Sequence, residues 1–135
     1  MIEKIALRLL SLKSYSTYEL KKKLLNKGFT AEEIAPLLEK YQRLGFLNDN
    51  DLTERRIEEF KKRGYGPHWI AGKLRTKGLN LGLKTSSYSL EEQKTVIQKL
   101  LKTPLFAKKD KPKQIAALQR RGFDLDVIFS TLDYY

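Results

Sequence analysis

The sequence contains no cysteine and only one histidine, His68. The absence of cysteine excludes disulfides, thiolate metal sites and cysteine nucleophiles. A single histidine argues against a histidine-ligated metal centre and against a serine–histidine triad. We therefore expect a protein that needs no cofactor or metal and that is not an enzyme.

Long uninterrupted apolar runs are also missing near the start of the chain. The first apolar stretch, residues 1–12, is broken by Glu3, Lys4 and Arg8. A signal-peptide core and a membrane span both need continuous apolar residues, so this stretch matches neither. We expect a folded cytoplasmic protein that makes no contact with membranes.

Acidic residues are few relative to basic ones. The 135 residues include 27 Lys and Arg against 16 Asp and Glu, which gives a formal net charge of +11. The excess runs through the whole chain and forms no basic tail. A surface that concentrates Lys and Arg attracts anions, so an acidic partner is expected.

Glycine recurs in one local pattern. Five of the eight glycines are followed by a large apolar residue and preceded, four residues earlier, by another: Gly28, Gly45, Gly64, Gly78 and Gly122. A helix that ends with glycine at C′ in the left-handed conformation brings C″ against C3, which explains the two apolar residues. Each of these five stop glycines is predicted to end a helix.

Helix starts are marked as well. Three segments fit the capping box, in which Ser or Thr and a Glu three residues later satisfy backbone N–H groups of the first turn: Ser16-x-x-Glu19, Thr30-x-x-Glu33 and Ser89-x-x-Glu92. Pro67 suits the first turn of another helix. Together, the helix starts and stops predict helices over residues 2–12, 17–27, 31–43, 50–63, 67–77, 90–102, 112–121 and 125–134. They leave no segment that is predicted to form a strand.

The helices form an internal repeat. GFTAEEIAPLLEKY, from Gly28, and GFDLDVIFSTLDYY, from Gly122, share Gly, Phe, Ile, Leu and Tyr at equal offsets. The middle copy keeps KLRTKGL but continues into NLGLKTSSYS, where a third helix should begin. Helices with one apolar stripe must bury it against neighbours. The pattern predicts an all-α fold of three stacked three-helix repeats, 1–47, 48–88 and 89–135, with the third helix of the middle repeat shortened or lost.

With this organisation the sequence resembles the RecX family, regulators of the bacterial recombinase RecA. The resemblance rests on ALRLLSLKSYSTYELKKKLLNKGF in the first repeat, LGFLNDNDLTERRIEEFKKRGYGPHWIAGKLRTKGL in the second and ALQRRGFDLDVIFSTL in the third. It implies tandem three-helix repeats in a curved, elongated chain without catalytic activity.

The resemblance also implies a partner. RecX proteins bind RecA filaments on single-stranded DNA and restrain ATP hydrolysis and strand exchange, which places them in recombination, DNA repair and the SOS response. We expect this chain to act in the same way, as a monomer whose basic surface lies in the filament groove. Direct contact with single- or double-stranded DNA is left open.

Basic residues near helix ends are the candidate binding residues. Lys27, Lys77 and Arg121 each directly precede a stop glycine. A cation near a helix C-terminus interacts favourably with the helix dipole, by roughly 0.3–1 kcal/mol, and this explains each of them taken alone. As a series, repeat geometry is expected to set them along one surface. The candidate partner- or DNA-binding set is Lys27, Arg63, His68, Lys73, Arg75, Lys77, Arg120 and Arg121.

Aromatic residues beside this set are predicted to be structural. Tyr65 occupies the C″ place opposite Phe60, and Trp69 adjoins the apolar Ile70, so packing explains both. The alternative function is a stand-alone nucleic-acid-binding protein of helix-turn-helix type, with the helix from Pro67 in a groove.

Overall fold

The computed structural model describes residues 1–79 and 88–132. These residues form helices and contain no strand, which confirms the predicted all-α class. The helices are α1 (Ile2–Leu12), α2 (Thr17–Asn26), α3 (Ala31–Arg43), α4 (Asp49–Lys62), α5 (Pro67–Thr76), α6 (Leu90–Leu101), α7 (Pro104–Ala107), α8 (Lys111–Arg120) and α9 (Leu125–Thr131). The single-turn helix α7 has no counterpart among the predicted helices, and the others match them closely.

The predicted helix stops are confirmed at every stop glycine. All five have positive φ, between 71° and 100°. At the end of α2, the Gly28 N–H donates to the Leu25 carbonyl at 3.0 Å and the Phe29 N–H donates to the Leu24 carbonyl at 3.2 Å. These are the two hydrogen bonds of the Schellman motif. The same pair of bonds closes the other four turns.

The predicted helix starts are confirmed too. At Ser16, Thr30 and Ser89 both hydrogen bonds of the capping box are present. Each box satisfies two N–H groups that the first turn of a helix leaves without partners. Local sequence therefore sets where these helices begin.

The described chain groups into two compact units. Unit 1 contains residues 1–55 and 74–79, and unit 2 contains residues 56–73 and 88–132. The three-repeat boundaries at residues 47 and 88 stay a prediction. The shortened third helix of the middle repeat was placed from residue 80 onward, and residues 80–87 lie outside the described ones.

The core of unit 1 is formed by α1, α2 and α3, which pack on one another. Their buried faces follow the helical period, as an amphipathic helix requires. Its fully or almost fully buried side chains include Ala6, Leu20, Leu24, Ile34 and Tyr41.

The core of unit 2 lies where α9 packs against α6 and α8. Ile97, Leu118 and Ile128 are fully buried there. The short helix α7 follows α6, with Pro104 in its first turn, and buries Phe106 to 2% exposure. Isolated helices of four residues are unstable, so packing against the rest of unit 2 stabilises α7: Phe106 is buried, and the Gln114 side chain donates to its carbonyl at 3.0 Å.

We expect Gly122→Ala to destabilise the protein by about 1–3 kcal/mol more than Gly28→Ala, because the added methyl group overpacks its surroundings. The two glycines have φ of 100° and 99°, so the backbone strain is matched. A Cβ on Gly122 would lie 2.6 Å from the Cβ of Trp69, whereas a Cβ on Gly28 would have nothing within 4 Å. Urea unfolding of both variants measures the difference. Equal losses would contradict the close packing at Gly122.

Candidate interaction surface

The candidate basic residues occur in both units, and most of their side chains reach solvent. Lys77 and Arg121 are partly buried. The exposed members are Lys27, Arg63, His68, Lys73, Arg75 and Arg120. Exposure alone makes these six available to a partner.

In unit 2 the turn between α4 and α5 packs against the turn between α8 and α9. The Gly66 N–H donates to the Arg121 carbonyl at 2.7 Å, and the His68 N–H donates to the Gly122 carbonyl at 3.1 Å. A Cβ on Gly66 would lie 2.6 Å from the Gly122 carbonyl oxygen, and Gly122 lies directly against Trp69. The backbones approach this closely because neither glycine has a side chain. We call this contact the unit 2 junction.

The Arg121 guanidinium reaches back to the end of α4. Its Nη1 donates to the carbonyl oxygens of Arg63 and Gly64, at 3.2 and 3.3 Å. It also lies over the rings of Tyr65 and Phe106, at 5.2 and 5.7 Å from their centroids. A planar cation suits both contacts, since it donates in its plane and stacks on aromatic faces. Arg121 thus has a structural role, and its role in partner binding stays a prediction.

Three other candidates surround the same junction. The Arg63 guanidinium pairs with Glu59 at 3.2 Å, and His68 Nε2 lies 2.7 Å from Asp124 Oδ1. The side chains of Arg63 and His68 are 60% and 67% exposed. Exposed pairs of this kind contribute little, about 0–1 kcal/mol, so a partner can replace them at small cost. Together with the exposed Arg120, these residues form what we call the unit 2 cluster: Arg63, His68, Arg120 and Arg121.

The aromatic residues of the junction are structural, as predicted. Tyr65 stacks on Trp69 with ring centroids 3.6 Å apart, and Phe60 meets both rings edge-on. Trp69 covers one face of Tyr65 and the Arg121 guanidinium lies over its ring. Tyr65 therefore cannot stack on a nucleotide base unless one of these neighbours moves.

A second junction of the same kind lies in unit 1. The Ser16 hydroxyl donates to the Lys77 carbonyl at 2.5 Å. A Cβ on Gly78 would lie 2.6 Å from Cγ of Tyr18, so the aromatic residue packs against this stop glycine. Lys77 Nζ pairs with Glu19 at 3.5 Å. We call this contact the unit 1 junction.

The two junctions repeat one arrangement. In each, the N-cap residue of a helix, Ser16 or Gly66, donates to the carbonyl of the basic residue that precedes a stop glycine. In each, an aromatic residue from the first turn of that helix packs against the glycine. The stop glycines were predicted from the sequence, but the aromatic residues that pack against two of them were not. The available signal was an aromatic residue placed directly after a helix start, Tyr18 in one case and Trp69 in the other.

Lys27 and Lys77 lie near opposite ends of α2. Lys77 pairs with Glu19 in the first turn, and Lys27 follows the last residue of the helix. Eight helical residues rise about 12 Å. The expectation that these two lysines and Arg121 line one surface stays a prediction.

Lys61 is a buried basic residue that was not among the candidates. Its Nζ donates to Glu58 and Glu92 at 3.2 and 3.1 Å and lies 4.8 Å from the centroid of the Tyr88 ring. The Tyr88 hydroxyl donates to the Tyr65 carbonyl at 2.8 Å. With its side chain only 6% exposed, Lys61 fastens the start of α6 to the end of α4.

This cluster shifts two pKa values. The hydrogen bond from Lys61 lowers the pKa of Glu92, and the Ser89 backbone N–H adds to the effect. Burial raises the pKa of Tyr88, and the nearby Glu92 charge raises it further. Both groups therefore hold their usual charge states at neutral pH, Glu92 ionised and Tyr88 neutral.

An open groove of about 690 Å³ runs between α4 and α6 in unit 2. Val96 and Leu100 form apolar parts of its lining, and Glu58, Arg63 and Lys99 carry charges of both signs. Mixed charges do not favour one class of ion, so the groove by itself indicates no preference for an anionic partner.

Metal binding and membrane insertion receive no support from the described residues. Within residues 1–79 and 88–132, no three His, Asp or Glu side chains are grouped so that they could hold a metal ion. In the same ranges, no helix has the length and apolar character that a membrane span requires.

Glu92→Gln should lower the melting temperature at pH 7 and have a smaller effect at about pH 3. The pKa of Glu92 is lowered by folding, so its charge stabilises the protein above its unfolded pKa, and this contribution disappears as the pH falls through the folded pKa. Gln still completes the capping box, so the change removes the charge alone. Thermal unfolding followed by circular dichroism measures both values, with Glu33→Gln in the α3 box as the matched control. An equal effect of Glu92→Gln at both pH values would contradict this role.

Comparison with known proteins identifies the family. The family model for the first three-helix domain of RecX matches residues 4–40. Regulatory protein RecX from Legionella pneumophila (strain Corby) is 35% identical over 130 residues, which cover 91% of this chain and 87% of that protein. Regulatory protein RecX from Bacillus subtilis (strain 168) is 32% identical over 138 residues, covering 95% of this chain and 52% of the longer relative.

Solved structures share the fold. The crystal structure of RecX from Lactobacillus salivarius superposes with a TM-score of 0.81 at 22% identity, covering 98% of this chain and 95% of that one. A second crystal structure of a regulatory protein RecX gives a TM-score of 0.83 at 19% identity, covering 98% and 71% of the two chains. Since the Legionella relative matches across most of both sequences, the chain belongs to the RecX family of regulatory proteins.

Proposed function

We propose that this protein binds the filament that RecA forms on single-stranded DNA and lowers its ATPase and recombinase activity. Membership of the RecX family supports the partner. The observation that carries the proposal is the unit 2 cluster, whose exposed members Arg63, His68 and Arg120 gather around one close backbone contact. We propose a cytoplasmic monomer as the acting form.

The charge of the chain suits this partner. The DNA in such a filament carries phosphate charges, and a net charge of +11 favours association with a polyanion. A ligand that contacts neighbouring protomers changes filament activity when it binds one filament state more tightly than another. Inhibition then requires only differential affinity, and no catalytic group.

Exposure divides the candidate residues by availability. Lys77 and Arg121 are partly buried, with Lys77 paired to Glu19 and the Arg121 guanidinium bonded to carbonyls at the end of α4. We therefore assign the outward contacts to the exposed candidates: Lys27, Arg63, His68, Lys73, Arg75 and Arg120.

The helix-turn-helix alternative meets an obstacle at α5. A recognition helix presents its N-terminal residues to base edges in the major groove. Here the N-terminal end of α5 is held in the unit 2 junction, where His68 donates to Gly122 and Trp69 covers the same glycine. Entry of this helix end into a groove would require that contact to open.

The double charge reversal Arg63→Glu with Arg120→Glu should raise the concentration needed for half-maximal inhibition of RecA ATPase by at least about tenfold, equivalent to 1.4 kcal/mol of binding. Lys77 is left unchanged because its pair with Glu19 has a structural role. The measurement is a titration of the protein into RecA hydrolysing ATP on single-stranded DNA. Lys4→Glu with Arg8→Glu, two exposed residues of α1, gives the same change in net charge. Equal loss in both double variants would contradict the assigned surface.

Naked DNA separates the proposal from its alternative. We expect weak binding to a duplex, measured by fluorescence anisotropy, at concentrations that already inhibit RecA. A stand-alone DNA-binding protein would instead bind tightly, with a log–log salt slope of about −0.9 for each phosphate contacted. Tight duplex binding without any effect on RecA would favour the alternative.

A further inference from the structure

Four turns in the chain share one sequence pattern and one backbone geometry: a basic residue, a stop glycine and a large apolar residue, closed by the two Schellman bonds. Three of them end the second helix of a predicted repeat: Lys27-Gly28-Phe29, Lys77-Gly78-Leu79 and Arg121-Gly122-Phe123. The fourth, Arg63-Gly64-Tyr65, ends α4, where the Arg121 side chain donates to the Arg63 carbonyl. In the three turns that end second helices, we call the carbonyl of the basic residue and the bare Cα of the glycine a socket.

Two of the sockets are filled from within the chain. The Lys77 socket receives the start of α2, with the Ser16 hydroxyl on its carbonyl and Tyr18 against its glycine. The Arg121 socket receives the start of α5, with the Gly66 N–H on its carbonyl and Trp69 against its glycine. Both filled sockets at the ends of second helices therefore bind the N-terminal turn of another helix.

The socket at Lys27 is open among the described residues. A Cβ on Gly28 would have no neighbour within 4 Å, and the Lys27 side chain is exposed. Within residues 1–79 and 88–132, the Lys27 carbonyl accepts no hydrogen bond. Its sequence, KLLNKGF, closely matches the KLRTKGL of the filled Lys77 socket.

The chemistry of the socket favours a helix N-terminus over a phosphate backbone. Its central group is a carbonyl at a helix C-terminus, which needs a hydrogen-bond donor and carries the negative end of the helix dipole. A phosphate offers only acceptors and a negative charge, so it cannot satisfy this carbonyl. The N-terminus of a helix offers N–H donors and the positive end of its dipole.

We infer that the Lys27 socket docks the N-terminal turn of a helix on a protomer of the RecA filament, a step that rests on the function proposed above. The filled Lys77 socket specifies what that turn should carry. It should present a hydroxyl or N–H donor at the N-cap, as Ser16 does, and a carboxylate in the first turn that pairs with the lysine, as Glu19 does. A side chain on the glycine would block the approach.

The test fills the open socket and measures inhibition of RecA ATPase on single-stranded DNA. Gly28→Asn keeps the turn, since Asn tolerates the left-handed conformation, and places a side chain where the partner would lie. Gly45→Asn is the matched control, because Gly45 also has positive φ and open space but follows Leu44 and not a basic residue. We expect Gly28→Asn to raise the half-maximal inhibitory concentration by at least about tenfold, and Gly45→Asn to leave it within about twofold.

A second pair of variants tests the lysine without altering the turn. Lys27→Glu and Lys22→Glu make the same change in net charge at exposed positions about 140° apart around the axis of α2. We expect Lys27→Glu to weaken inhibition strongly and Lys22→Glu to leave it nearly unchanged. If circular dichroism shows that Gly28→Asn does not fold, the comparison of the two lysine variants still tests the proposal.

The possible outcomes distinguish a failure of this inference from a failure of the proposed function. If the unsubstituted protein neither binds nor inhibits RecA filaments, both are overturned. If it inhibits, and the Gly28 and Lys27 variants inhibit as well as their controls, the open socket is not the contact and the proposed function stands. Selective loss in the Gly28 and Lys27 variants supports docking at the socket.

Discussion

The contact on which this fold depends is a hydrogen bond from the N-cap residue of one helix to the carbonyl that precedes the stop glycine of another. It occurs from Ser16 to Lys77 and from Gly66 to Arg121. A helix C-terminus leaves carbonyls without partners, and burying them without a donor is costly, about 1–3 kcal/mol for each group. A glycine beside the carbonyl gives the donor room to approach. The same turn that ends a helix thus also holds the start of an earlier helix, α2 on α5 and α5 on α8.

Local features of the fold could be predicted from the sequence, because their causes are local. The stop at Gly28 and the capping box at Ser16 each follow from residues within one helical turn. The short helix α7 could not be predicted in this way, since it depends on burial of Phe106 by distant parts of the chain. The two junctions were missed for the same reason. Trp69 is separated from Gly122 by more than fifty residues, and a local sequence motif cannot indicate a contact over that distance.

The basic residues illustrate the limit of a charge pattern. From the sequence, two roles were predicted for Arg121: interaction with the dipole of its own helix, or contact with a partner at the surface. Its guanidinium in fact bonds to carbonyls at the end of α4, a different helix. Lys61 shows the converse, since a lysine in a basic run is buried between two glutamates. Net charge therefore indicates the class of partner, while the fold decides which basic groups remain free to bind it.

Hydrogen exchange at the Gly66 amide tests the junction most directly. This N–H lies in a turn between helices and has the Arg121 carbonyl as its acceptor. If the junction holds, Gly66 exchanges as slowly as amides in the buried part of α8, because both open only when unit 2 unfolds. Exchange at the rate of an exposed turn amide would contradict the account.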